Sequence, residues 1–126
     1  MEEKAKINSF KDLEVYKKLC KLNHEIYELT LSFPAFEKYE LGSQLRRAAN
    51  SAPANLAEGW NNKHINIYLE GINRALGEIR ETEHHLSVAL GRNYLIKEKV
   101  DYLLAEYSEC GRMLKGLERS LARYSP

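Results

Sequence analysis

Four cations recur near the C-terminal end of this chain at steps of three, four and four, Arg112, Lys115, Arg119 and Arg123, so a helix would align them as one basic stripe. Such a stripe can contact phosphates, each contact releasing counterions and giving salt-dependent, sequence-independent binding. It also reads as a solvated face, since positive charge is favoured near a helix C-terminus and Glu109 and Glu118 dilute the field. Arg80 and His85, with four residues between them, form a second candidate, the imidazole as general acid or base and the guanidinium stabilising charge that develops on phosphorus. Glu81 and His84 give a third, Glu-x-x-His, the spacing with which a carboxylate and an imidazole share a di-iron site inside a helical bundle. That chemistry needs a second such pair and two more carboxylates. Glu106 and Glu109 have no histidine three residues on, and the first helix offers only His24-Glu25, so polar residues near a bundle end are the preferred reading and no metal or cofactor is expected. His64 reads as a solvent-facing residue near a helix N-terminus. The sequence contains no Gly-rich phosphate loop and no Gly-x-Ser-x-Gly elbow.

Composition narrows the partners. The chain has 126 residues, the size of one domain spanning 1–126, and sets 19 basic against 18 acidic residues. So balanced a charge does not call for a polyanion as a whole, and any nucleic-acid contact must come from a local patch. Cys20 and Cys110, far apart within helical patterns, fit buried free thiols in a reducing compartment. The start Met1-Glu2-Glu3-Lys4-Ala5-Lys6 leads into no apolar run, and no stretch approaches the ~20 apolar residues of a membrane span. The expectation is a cytoplasmic protein without a membrane partner.

Four amphipathic stretches must position these residues. The first, about 10–33, begins at a capping-box-like Ser9/Asp12 pair, presents Leu13, Tyr16, Leu19, Leu22, Ile26, Leu29 and Phe33, and stops before Pro34. The second, about 37–59, carries Leu41, Leu45, Ala48, Ala52 and Leu56 across an internal Pro53 without losing phase, which predicts one kinked helix closed by Gly59 as a left-handed cap. Small residues around Pro53 would let another backbone approach. The third, about 62–91, presents Ile65, Tyr68, Leu69, Ile72, Leu76, Ile79, Leu86 and Leu90 and ends at Gly91; Gly71 and Gly77 inside it point to close helix packing. The fourth, about 97–123, presents Val100, Leu103, Leu104, Tyr107, Leu114, Leu117 and Leu121. Short connections between long helices predict an all-α, antiparallel up-down-up-down four-helix bundle. Trp60, the single tryptophan, follows the helix-ending glycine and suits either the core or an interface.

The run Ser43-Gln44-Leu45-Arg46-Arg47-Ala48-Ala49 followed by Pro53-Ala54-Asn55-Leu56-Ala57-Glu58-Gly59 resembles the signature of the four-helix-bundle proteins encoded by intervening sequences in bacterial 23S rRNA genes. The opening Phe10-Lys11-Asp12-Leu13-Glu14-Val15-Tyr16 is similar to that family's Phe-x-Asp-Leu-x-Val-Trp/Tyr. Ser32-Phe33-Pro34, Tyr39-Glu40-Leu41, Gly77 with Glu81-Thr82, and Met113-Leu114-x-x-Leu117 extend the likeness over nearly the whole chain. Glu78, where the family has a small serine, and Ile96, where a capping residue would stand, depart from it. The resemblance implies a homo-oligomer, a ring of five subunits, and kinship with accessory proteins of diversity-generating retroelements. Matched to the signature, Arg46, Arg47, Asn55 and Glu58 are polar fixtures of the second helix, and Arg46 or Arg47 pairing with Glu58 of a neighbouring subunit would register the ring; a guanidinium fork suits phosphate equally. The expected function is a non-enzymatic scaffold or binding protein with RNA or a ribonucleoprotein as partner. The alternatives are a protein-partner adaptor and, because Arg80 and His85 resemble the Arg-x4-His pair of a class of helical-bundle ribonucleases, an RNA-cleaving enzyme.

Overall fold

The four amphipathic stretches become four long helices in the computed structural model, which describes residues 6–122: α1 (Glu14–Thr30), α3 (Leu41–Gly59), α4 (Ile65–Gly91) and α5 (Lys97–Ala122), with a 3-10 turn at Phe10–Asp12 and the single turn α2 (Ala35–Lys38) between α1 and α3. Arg123 lies outside the described residues. Going round the bundle, α1 sits beside α3 and α5, and α4 packs on α3 and α5 in turn. Contacts run in opposite chain directions in three of these pairs. Thr30 and Asn23 of α1 meet Arg46 and Asn50 of α3; Gly59 and Arg47 of α3 meet Gly71 and Glu81 of α4; Lys18 and Glu25 of α1 meet Glu106 and Lys99 of α5. All four long helices feed one core, with Leu19, Leu22, Ile26, Leu45, Leu56, Ile72, Leu86, Leu103, Tyr107 and Leu114 without measurable exposure or close to it. No described helix is long and apolar enough to cross a membrane.

The helix starts differ from expectation for local reasons. Ser9 and Asp12 do form a capping box, Ser9 Oγ accepting from the Lys11 N–H at 3.1 Å and Asp12 Oδ2 from the Ser9 N–H at 3.0 Å. It caps only the 3-10 turn, because Leu13 is extended (ψ 127°) and α1 starts anew at Glu14. The second stretch is broken at Glu40 (φ −109°, ψ −94°), so α2 and α3 are separate. The third begins at Ile65 instead of Asn62, since Asn61 takes a left-handed conformation (φ 54°) and Asn62 Oδ1 accepts from the His64 N–H at 2.9 Å. Pro53 lies inside an uninterrupted α3 and is buried.

Gly59 is not a left-handed cap. No described glycine has positive φ; Asn61 and Asn93 make the left-handed turns after α3 and α4. Gly59 and Gly71 instead let two backbones touch. A Cβ on Gly71 would stand 2.8 Å from the Asn55 carbonyl oxygen and 3.1 Å from Gly59 Cα, and one on Gly59 would stand 2.9 Å from the Ile67 carbonyl oxygen. Gly77 has no such role, because a Cβ there would meet nothing nearer than an Arg80 guanidinium nitrogen at 3.9 Å.

One end of the bundle is held by a buried carboxylate. Glu37 is 6% exposed, and its Oε2 accepts from Arg92 Nη1 at 2.8 Å and from the Tyr94 hydroxyl at 2.9 Å, tying α2 to the α4–α5 turn. Arg46 adds a second tie, donating from Nη1 to Thr30 Oγ1 at 3.0 Å and from Nη2 to the Lys38 carbonyl at 2.8 Å. Burial pushes the Glu37 carboxyl up, but the hydrogen bonds from Tyr94 and Arg92 outweigh it and hold the group below its ordinary value.

Two predictions test these contacts. Gly71→Ala should lower unfolding stability by about 1–3 kcal/mol, because backbone cannot give way as a flexible side chain does, whereas Gly77→Ala should be neutral or stabilising by up to about 1 kcal/mol; urea titrations of both variants decide it. For Glu37, a lowered folded-state value means the folded chain binds fewer protons than the unfolded one. Its contribution is therefore present above the unfolded value, about 4.3, and is lost as pH falls through the folded one. Glu37→Gln should be less stable than the native chain at pH 7, and the difference should shrink on acidification, read from urea midpoints across pH.

Candidate nucleic-acid interface

Along α5 the side chains of Arg112, Lys115 and Arg119 are exposed, as the spacing requires. Arg112 is partly occupied: its Nη2 and Nε donate to Glu109 Oε2 at 2.6 and 3.1 Å, and Nη1 donates to Ser108 Oγ at 3.3 Å. Arg80 of α4 joins this face. A cleft of about 220 Å3 between the two helices is walled by Arg80 and Glu83 on one side and by Ser108, Arg112 and Lys115 on the other, with Leu76, Ile79, Tyr107 and Gly111 completing it. Burial pushes the Glu83 carboxyl up, and Arg80 pulls it part of the way back. Among the described residues neither Arg80 nor Lys115 has an ion-pair partner.

Gly111 has no packing reason to be glycine. A Cβ there would meet only Leu76 Cδ2, at 4.0 Å, an ordinary contact. Inside a helix the glycine costs about 1 kcal/mol relative to alanine. Its consequence in space is an open cleft floor.

The structure does not bring Arg80 and His85 together. Five residues on a helix advance the face by about 140°, so the two cannot share a side. Arg80 points to the α5 cleft, while His85 lies in the field of Glu81, His84 and Arg47. There, Arg47 of α3 pairs with Glu81 and reaches Glu78 at 3.6 Å. His85 Nε2 and Glu78 Oε2 are buried without hydrogen-bond partners. Burial pushes the His85 imidazole down; Glu81 opposes that, and His84 and Arg47 add to it. Glu81 is thus engaged by an arginine, Glu106 by Lys18 at 2.8 Å, and no described group of three His, Cys, Asp or Glu side chains is placed to hold a metal ion.

The remaining sequence candidates lie on or near α3. Arg46 and Arg47 both have partners within their own chain. Asn55 Nδ2 donates to the Ser51 carbonyl at 2.8 Å, and with the exposed Glu58 it lines an open groove of about 450 Å3 over the Gly59–Gly71 contact. Trp60 is half-buried and packs on the core. His64 is exposed just before α4. Sequence reading missed Arg80 as a member of the basic face. Leu76, Arg80 and Glu83 do fall in one row of α4, but which helix that row faces is a tertiary fact.

A family model described as 23S rRNA-intervening sequence protein matches residues 11–116. Among solved structures, the chain is similar to a protein of unknown function from the S23 ribosomal protein family of Bacteroides thetaiotaomicron, at 22% identity over 83% of this chain and 95% of that one, with a TM-score of 0.77. At that identity the likeness is one of fold. No curated protein matches the chain.

The α3–α4 network makes its own prediction. Removing the Arg47 guanidinium takes away a nearby cation and admits water, and both effects favour the imidazolium. Arg47→Ala should raise the His85 titration midpoint, and Arg47→Lys should move it much less, as followed by NMR of the ring protons.

Proposed function

Because the chain belongs to the 23S rRNA-intervening sequence protein family, whose resemblance carries a homo-oligomeric assembly, we propose that it is a non-enzymatic cytoplasmic scaffold, a ring of five helical bundles, that carries RNA or a ribonucleoprotein on its basic α5 face. The observation that carries the RNA part is the convergence of Arg112, Lys115 and Arg119 with Arg80 of the neighbouring helix on one exposed side. In a chain whose total charge is nearly balanced, such a local excess of cations is what a phosphate backbone would find. Self-association has support at the clasped end of the bundle, where Leu31 (49%), Phe36 (71%), Tyr39 (82%) and Ile96 (68%) are exposed. The separation of Arg80 from His85 argues against the ribonuclease reading.

Light scattering on the purified chain, with and without a structured RNA at two salt concentrations, tests this. The expected result is a mass of five subunits that co-elutes with RNA at low salt. With about three phosphate contacts per subunit and a slope of ~0.7 each, affinity should fall roughly twentyfold between about 50 and 200 mM salt. A monomer would end the ring model, and a ring that leaves RNA free would end the RNA reading and turn the search to protein partners.

A further inference from the structure

We infer that the α4–α5 cleft seats one phosphodiester group of a single RNA strand, held between the Arg80 guanidinium and the Lys115 ammonium above the open floor at Gly111. The inference rests on the RNA reading above and adds to it a place and a set of residues.

Three observations converge. Cations from two different helices flank one concavity, and the two named here have no ion-pair partner among the described residues, so their donors are free for a ligand. The cleft, about 220 Å3, is smaller than the sites that enclose whole drug-sized ligands, and so suits a compact tetrahedral anion with its ester links leading out to solvent. Gly111 leaves the floor clear at a position where the bundle itself would accept a side chain. An arginine fork with a lysine beside it is a suitable donor set for such a group: the fork fixes orientation through paired N–H bonds and the ammonium supplies a point charge. Arg112, turned onto Glu109, contributes field more than contact. Glu83 is the opposing element: its carboxylate on the Arg80 wall repels an incoming anion.

Binding of a fluorescein-labelled ten-nucleotide uridine RNA to the full chain, by anisotropy over a salt series, tests the inference. Arg80→Ala should weaken binding about tenfold and reduce the salt slope by ~0.7, one contact on a single strand. Gly111→Leu, which fills the floor without changing any charge, should weaken binding to a similar degree at an unchanged helical signal, and Glu83→Gln should strengthen it. Gly111→Leu separates a seated phosphate from a diffuse basic patch, which would also gain from the charge change of Glu83→Gln but would ignore an uncharged change of shape. If the native chain binds RNA and Gly111→Leu binds it equally well, the cleft is not the seat and the broader RNA reading stands. If the native chain binds no RNA but inorganic phosphate shifts the amide resonances of Gly111 and Lys115, the phosphodiester assignment is overturned, with free phosphate as the ligand, and the RNA reading falls with it. If neither binds, both fail.

Discussion

Two helix backbones meet without side chains between them at Gly59 and Gly71, and the geometry of the bundle depends on that contact. Glycine is otherwise a poor choice inside a helix, since it adds backbone entropy to the unfolded state and packs no side chain. Here it shortens the distance between α3 and α4, bringing Asn55 and Ile67 carbonyls to the crossing. Small residues continue the contact: Ala48, Ala49 and Ala52 of α3 and Ala75 of α4 are completely buried. Large residues from all four long helices fill the rest of the core, Leu19, Leu22, Tyr107 and Leu114 from α1 and α5 and Leu45, Leu56, Ile72 and Leu86 from α3 and α4. The α3–α4 crossing is thus made tight by small residues, while large ones from every long helix fill the interior.

Polar ties fix what the core leaves free. Apolar packing is non-directional and would tolerate slippage of one helix along another, whereas an ion pair or a hydrogen bond between defined atoms sets a register. Glu37 with Arg92 and Tyr94, Arg46 with Thr30 and the Lys38 carbonyl, and Lys18 with Glu106 each join segments distant in sequence. Exposure ranks them. Glu37 is buried and accepts from two donors, so losing either leaves a carboxylate short of partners; Lys97 with Asp101 and Arg74 with Glu70, more than half exposed and within one helix, hold little.

Charge is partly cancelled at short range. Glu81 and Glu78 answer Arg47, and Glu109 answers Arg112. In the α4–α5 cleft the pairing is incomplete: Arg80 and Lys115 arrive from separate helices and share the lining with a half-buried Glu83. A near-neutral chain thereby acquires a local field without an overall one, which keeps long-range attraction for polyanions modest and makes contact geometry decide affinity.

The helical period alone gave the four long helices, their buried stripes and the exposed row of Arg112, Lys115 and Arg119, because burial follows a spacing of three and four that any reader of the chain can count. It did not give the breaks at Leu13 and Glu40, which are single-residue backbone choices within otherwise regular patterns. Nor could it tell Gly71 from Gly77: both interrupt the same helix, and only the position of α3 makes one indispensable and the other incidental. The same holds for Arg80. Its neighbours along the chain include His85, its neighbours across the bundle are Arg112 and Lys115, and the second set exists only once α4 and α5 are packed. Periodicity records which face of a helix avoids water, and packing alone decides which helix each remaining face meets.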